Sequence, residues 1–390
     1  MLDDWALDPA IVHLNHGSYG GCPRAVVAAA AATRARVEAA PMTYYGLHWQ
    51  RELDAARARA AAFVGADPAR FAFVPGATAG VAVALAAAAH ALAAGDELLT
   101  TSHAYRACKN QLARIADARG ARLVVVPIAL PFDPDALVDA LLAAVTPRTR
   151  VALLDHVTSP TALVLPVDRL VPALAARGVA TVVDGAHAPG QLELAVDALG
   201  AGWYIGNHHK WLCAPKATGF LVTAASEAAR TLPVVTSHGA SADYGPPNRY
   251  HAELDWAGTH DPAAHLAVPV AIDEVARLGG GWPAIRARNH ALAVAMRDQL
   301  AAALAAPGHR PRALAPDAAI GAMAAVPIAL PAGTPALALQ LALLAAGWEV
   351  PIVDVPDGTF VRVSAHLYNE LSQLDALARE LHARGVRARG

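Results

Sequence analysis

No run of apolar residues in this chain is long enough to cross a bilayer as a helix, because the alanine-rich segment from Val81 to Ala94 falls short and carries His90. The N-terminal residues Met1-Leu2-Asp3-Asp4-Trp5 are acidic and lack the charged, apolar and small-residue order of a secretory signal. Both absences predict a cytoplasmic protein away from membranes. Cysteine is scarce: Cys22, Cys108 and Cys213 are scattered, odd in number and without CxxC spacing, which argues against a disulfide framework and against a zinc site. The histidines form no HExxH pattern, so no metal is expected. Charge of either sign is not in excess. A formal net charge of −2 leaves no basic footprint for nucleic acid and no acidic tail, and a small molecule is the expected partner. Apolar residues, by contrast, are plentiful. At 55% of 390 residues they suffice for the cores of two or three structural units.

The pattern of those residues alternates between two periods. After two helical patterns between Arg24 and Arg59, separated by the aromatic stretch Pro41 to Trp49, short apolar runs alternate with helical stretches of ten or more residues. The runs are Phe71 to Val74, Glu97 to Thr101, Arg122 to Ile128, Arg150 to His156, Val179 to Asp184, Trp203 to Gly206 and Gly219 to Thr223. That alternation predicts an α/β fold with a mostly parallel, doubly wound sheet, and ligands then belong at the carboxyl ends of its strands. The pattern breaks into a polar loop near Pro246-Pro247-Asn248. A long helix from Trp282 to Ala305 opens a second, smaller α/β unit with strands at Met323 to Leu330, Val350 to Val355 and Phe360 to Ser364.

Several of these strand ends carry chemistry. Lys210 follows Asn207-His208-His209 and precedes Trp211-Leu212, a poor place for a solubilising charge. It is either a rim lysine with its stem on Trp211 or a desolvated amine able to condense with an aldehyde such as that of pyridoxal phosphate. Gly76-Ala77-Thr78 lies between a strand and a helix, where backbone N–H groups and the Thr78 hydroxyl can face a phosphate, or where threonine merely caps a glycine turn. Asp184 ends its strand and can hold a protonated pyridine nitrogen or cap the next segment; His187 is three residues on, within reach of the cofactor or structural. In Ser102-His103-Ala104-Tyr105 an aromatic can stack on a cofactor ring and move a proton, and Tyr105 is favoured over His103. Arg362, inside an apolar strand, matches a substrate carboxylate unless Asp354 or Asp357 pairs with it.

Taken together, Asp184-x-x-His187, the Asn207-His208-His209-Lys210-Trp211 stretch with its lysine 26 residues after Asp184, Gly258-Thr259, and Arg362-Val363-Ser364-Ala365-His366-Leu367-Tyr368-Asn369 resemble the class V aminotransferase family of fold-type I pyridoxal-phosphate (PLP) enzymes. Within that family the chain is similar to the isopenicillin N epimerase branch, from Leu14-Asn15-His16-Gly17-Ser18-Tyr19-Gly20 to Tyr368-Asn369. The resemblance implies a large PLP domain (23–265) with a mostly parallel seven-stranded sheet and a smaller C-terminal domain (266–390) joined by an N-terminal arm (1–22). It implies a Schiff base on Lys210, Asp184 on the pyridine nitrogen, and Ala77, Thr78, Asn207 and His209 around the phosphate. Ser159 would approach the ring oxygen and Arg362 would take the α-carboxylate of an amino-acid substrate, while Tyr105, His103 and His187 remain the candidates for contact with the ring from their own positions. Thr259 would reach the phosphate of a neighbouring subunit, so a homodimer with shared active sites is implied.

The implied reaction starts by removing the Cα proton through a lysine aldimine and a quinonoid. Reprotonation from the opposite face gives epimerisation, with Tyr105, Tyr44, Tyr45 and His48 as candidate second acids, Tyr44 and His48 being assigned to substrate binding. Departure of a β-substituent instead gives a C–S lyase, as in hercynylcysteine sulfoxide lyases, and class V transamination is a further alternative. A persulfide-passing desulfurase is disfavoured, because Asp354-Val355-Pro356-Asp357-Gly358-Thr359 contains no cysteine. A PLP-binding regulator is disfavoured by the lack of an appended basic DNA-binding unit.

Overall fold

The structure is a computed structural model that describes residues 2–241, 243, 246, 248–306 and 313–389. Seven strands form its larger sheet: β1 (Phe71–Val74), β2 (Glu97–Thr101), β3 (Arg122–Val126), β4 (Thr149–Asp155), β5 (Ala180–Gly185), β6 (Trp203–Asn207) and β7 (Gly219–Thr223). Their spatial order is β1-β7-β6-β5-β4-β2-β3, parallel except where β7 pairs antiparallel with β1 and β6. The expected α/β class and mostly parallel sheet are therefore present. Helices on both faces explain why the central strands read as unbroken apolar runs: every residue of β6 and β7 is buried.

Four helices and turns matter for the site. Helix α1 (Arg24–Ala39) and helix α2 (Trp49–Val64) pack outside the sheet, α3 (Ala77–Ala88) starts at the end of β1, and α4 (Arg106–Arg119) starts just after β2. The aromatic stretch expected to separate α1 from α2 is itself helical, with a turn at Pro41–Thr43 and a five-residue π-helix at Tyr44–His48 that runs into α2. Proline at the first helical position costs no hydrogen bond, and the π turn accommodates an extra residue without breaking the helix. Composition alone reads such a segment as a break. Asn248 caps the helix Arg249–Leu254 by accepting the Tyr250 N–H at 3.0 Å, while Pro247 lies outside the described residues.

A four-stranded antiparallel sheet follows, β8 (Met323–Ala329), β9 (Ile352–Val355), β10 (Gly358–Ser364) and β11 (Arg387–Ala388), in the order β9-β10-β8-β11. Helices α5 (Trp282–Leu304) and α6 (Ser372–Ala383) cover it around Met296, Leu300, Val361, Val363, Leu374 and Leu377. Leu14 from the N-terminal arm is fully buried in the same core. Among the described residues no helix is long and apolar enough to cross a membrane.

Candidate active site

A cavity of about 180 Å³ opens at the carboxyl ends of β4, β5 and β6 and the start of α3. Ala77, Thr78, Tyr105, Ser159, Asp184, His187, Asn207, His209 and Lys210 all line it. Two larger hollows, of about 640 and 730 Å³, hold neither the lysine nor Asp184. Proton-active groups, not size, identify the site.

The lysine loop is held from two sides. Gly20 has φ of 70° and its missing Cβ leaves room for the His209 and Lys210 carbonyls, while Gly190, with φ of 86°, does the same for Trp211. His16 adds a bond from its Nε2 to the Lys210 carbonyl at 3.1 Å. Loss of hydration lowers the Lys210 amine to about 8, opposed by Asp184 and assisted by Arg362. Its Nζ lies 3.0 Å from His187 Nε2, and Trp211 Nε1 donates to His187 Nδ1 at 3.4 Å. Burial keeps that imidazole neutral, so its one proton sits on Nε2 and points at the lysine. Such a contact requires the uncharged, nucleophilic amine.

Asp184 is 3% exposed and accepts the Ala186 N–H at 3.0 Å and the Cys108 thiol at 3.2 Å. Beside it, at the same register on the adjacent parallel strand, stands Asp155, also 3% exposed and lining the cavity. One Asp155 oxygen accepts the Tyr105 N–H at 3.3 Å; the other has no partner among the described residues. Burial first, and the Asp184 charge second, raise the Asp155 carboxyl well above its ordinary value. Two buried carboxyls side by side do not both ionise.

That shift has a measurable sign. A folded state that keeps a proton the unfolded chain releases loses stability as pH rises above about 4, the unfolded value for aspartate. In cofactor-free protein, Asp155→Asn therefore melts progressively higher than the wild type as pH climbs from about 5 to about 8. Parallel melting curves across that range would show that Asp155 is ionised.

At the phosphate end, Ala77 N–H donates to Asn207 Oδ1 at 2.7 Å and the Ala79 and Gly80 N–H groups to the Gly76 carbonyl, which leaves the Thr78 N–H, in the first turn of α3, without a partner among the described residues. His209 Nδ1 is bonded to the Thr218 carbonyl at 2.8 Å, which fixes the ring over that turn. On the opposite side, Arg362 is 3% exposed and donates to Ser159 O and Oγ, Asn15 Oδ1 and Ser18 Oγ, all neutral. Its Nε has no partner among the described residues, and burial lowers it to about 10. Asp354 instead accepts the Thr359 hydroxyl, and Asp357 engages His103. A buried guanidinium without an acid is costly until an anion arrives. The residues thus fit a phosphorylated pyridine aldehyde: anion seat, carboxylate, amine and aromatic wall in one cavity.

Two expectations on placement need correction. His103, in the turn after β2, is fully buried with both ring nitrogens occupied, by Thr161 and Asp357, and does not line the cavity, whereas Tyr105 does. Tyr44 is buried and donates its hydroxyl to Glu52 at 3.1 Å, and His48 lies beside Arg51, so neither faces the Lys210 cavity of its own chain. Thr259, expected to serve a neighbouring subunit, lines the separate 730 Å³ hollow with Met42, Tyr45, Trp49 and Trp256. Sequence reasoning missed Asp155, Cys108, Ser18 and Tyr19, of which Asp155, Ser18 and Tyr19 line the cavity. An acid ending the strand beside that of Asp184 was a usable signal for Asp155. Nothing local marked the others.

Cys213 lies 3.6 and 3.5 Å from ring nitrogens of His16 and His366. Those rings stack 3.9 Å apart at 16°, so their in-plane lone pairs cannot converge on one ion. The cluster is packing.

A sequence profile of the family described as Aminotransferase class-V matches residues 21–377. The chain is 38% identical to an isopenicillin N epimerase of Amycolatopsis lactamdurans, over 96% of both chains. It is 35% identical to a putative L-cysteine desulfhydrase 2 of Oryza sativa subsp. japonica, over 76% of this chain and 64% of that one. Among solved structures, the cystine C–S lyase C-DES in complex with cysteine persulfide superposes with a TM-score of 0.80 at 19% identity, covering 95% of this chain and 97% of the other.

Proposed function

The chain belongs to the class V aminotransferase family and is a PLP-dependent enzyme, and from that premise we propose that it is an amino-acid epimerase acting at Cα. The observation that carries the reading is the pairing of Lys210, held beside neutral His187 with its amine lowered to about 8, with Arg362, a buried cation lacking any acid among the described residues. Bound in the cavity, PLP supplies an aldehyde for the amine and an electron sink for charge developing at the substrate Cα. Arg362 binds the substrate α-carboxylate and orients the Cα–H bond. Lys210, close to half-neutral near pH 8, takes the Cα proton. Tyr105, whose hydroxyl is raised mainly by burial, stays protonated and able to donate.

Asp184 would keep the ring nitrogen protonated, and Ala77, Thr78, Asn207 and His209 would seat the phosphate. Thr259 would complete the phosphate seat of a second copy, which makes the enzyme a homodimer. Exposed Met42 and Leu47, 91% and 73% accessible near Thr259's hollow, suit that contact. Persulfide chemistry is disfavoured because Cys108 and Cys213 are buried with thiols raised by burial, and Cys22 is raised to about 11.

The test is incubation with candidate amino acids in deuterated water. Cα deuteration with loss of configuration and an intact carbon skeleton is expected. Release of pyruvate with sulfide or another β-leaving group, without inversion, would replace the epimerase reading by the C–S lyase one.

A further inference from the structure

Adjoining the Lys210 cavity is a second hollow of about 230 Å³, which shares Tyr105 and Ser159 with it and also exposes Arg106, Lys109, Asp354 and Arg362. It is larger than the Lys210 cavity, so it has room for a side chain of several heavy atoms beyond the α-carboxylate on Arg362.

Its charge is lopsided. Arg106 is exposed and has no hydrogen bond or ion pair among the described residues, and Lys109, half-buried, donates only to the Ser102 carbonyl at 3.3 Å. Elsewhere on the surface, Arg34, Arg36, Arg59 and Arg169 each find an acid within 3 Å. Arg106 is also the first residue of α4, where the helix dipole disfavours a cation and favours an anion. The one acid in the wall, Asp354, is exposed and engaged by the Thr359 hydroxyl, and Asp357 nearby is held by His103. A small neutral side chain, such as that of cysteine, would leave both cations unanswered.

We propose that this hollow is a side-chain subsite for a second acidic group, held by Arg106 and Lys109, so that the substrates are α-amino acids carrying an anion several bonds from Cα. The assignment rests on the Cα-directed reading above and narrows it to a substrate class. Arg362 fixes one end of the substrate and the Arg106–Lys109 pair the other, with Lys210 acting between them.

The experiment titrates the PLP-loaded enzyme calorimetrically with glutamate, 2-aminoadipate and 2-aminopimelate against norleucine, and follows Cα deuteration of the same compounds. At least one acidic amino acid should bind about tenfold more tightly than norleucine at low salt. That preference should shrink as salt is raised, and fall toward equality in the Arg106→Ala, Lys109→Ala double variant. Both side chains are solvent-accessible, so the variant folds. Equal affinities in the wild type, or a preference unchanged in the double variant, overturn the subsite. Absence of Cα deuteration with every compound would instead strike the epimerase reading, while the affinities still decide the subsite.

Discussion

Lys210→Ala is expected to slow Cα deuteration by about ten-thousand-fold or more, since it removes the base and the covalent anchor together. The variant should lose the visible absorption of the lysine-bound cofactor and the lysine adduct trapped by borohydride. Folding should survive. The alanine deletes an amine whose charge is already penalised by lost hydration and leaves His187 its bond from Trp211. The melting temperature of the cofactor-free variant should therefore stay within about 4 °C of the wild type. Lys210→Arg should be equally inactive, because a guanidinium does not release its proton near neutral pH. Undiminished borohydride trapping in either variant would remove Lys210 from its role.

Asp184→Ala carries the second-largest expected effect, a loss of about a thousand-fold in deuteration rate with weaker retention of PLP on dialysis. Without the carboxylate nothing in the cavity but Asp155 can hold a ring proton, and Asp155 is itself kept protonated by burial. Asp184→Asn should sit between the two, since the amide keeps an acceptor for the Ala186 N–H but not the charge. A further consequence separates electrostatics from packing. Cys108 loses its acceptor in Asp184→Ala and, relieved of a neighbouring negative charge, becomes more acidic than in the wild type, which faster labelling by a small thiol reagent in the cofactor-free protein would register. Wild-type deuteration by Asp184→Ala would mean that the carboxylate does not act on the ring.

The fold was readable from local pattern to a large extent. Each of β1 to β7 coincides with one of the short runs within about two residues, because strands covered on both faces, such as β6 and β7, need apolar side chains at nearly every position. The aromatic stretch before α2 defeated the same logic: a π turn has no compositional mark, and Tyr44 and Trp49 sit on it as core residues. At the site, residues that follow strand ends, such as Thr78, Asp184 and Lys210, were visible because a parallel sheet delivers strand ends to one edge. His103 was misplaced since only Ala104, in a tight turn, separates it from Tyr105, and which of the two faces the ligand depends on where Thr161 and Asp357 lie, from 58 and 254 residues away.

Thus the period of the apolar residues and the types at strand ends settled the α/β class and the residues able to carry PLP chemistry, since both follow from interactions between near neighbours in the chain. The packing of distant segments decided the rest: the Asp155–Asp184 pair made by strand register, the arginine left without an acid, and the two cations at the mouth of the second hollow. Those are properties of which charges meet in a dehydrated space, and dehydration exists only once the chain has closed on itself.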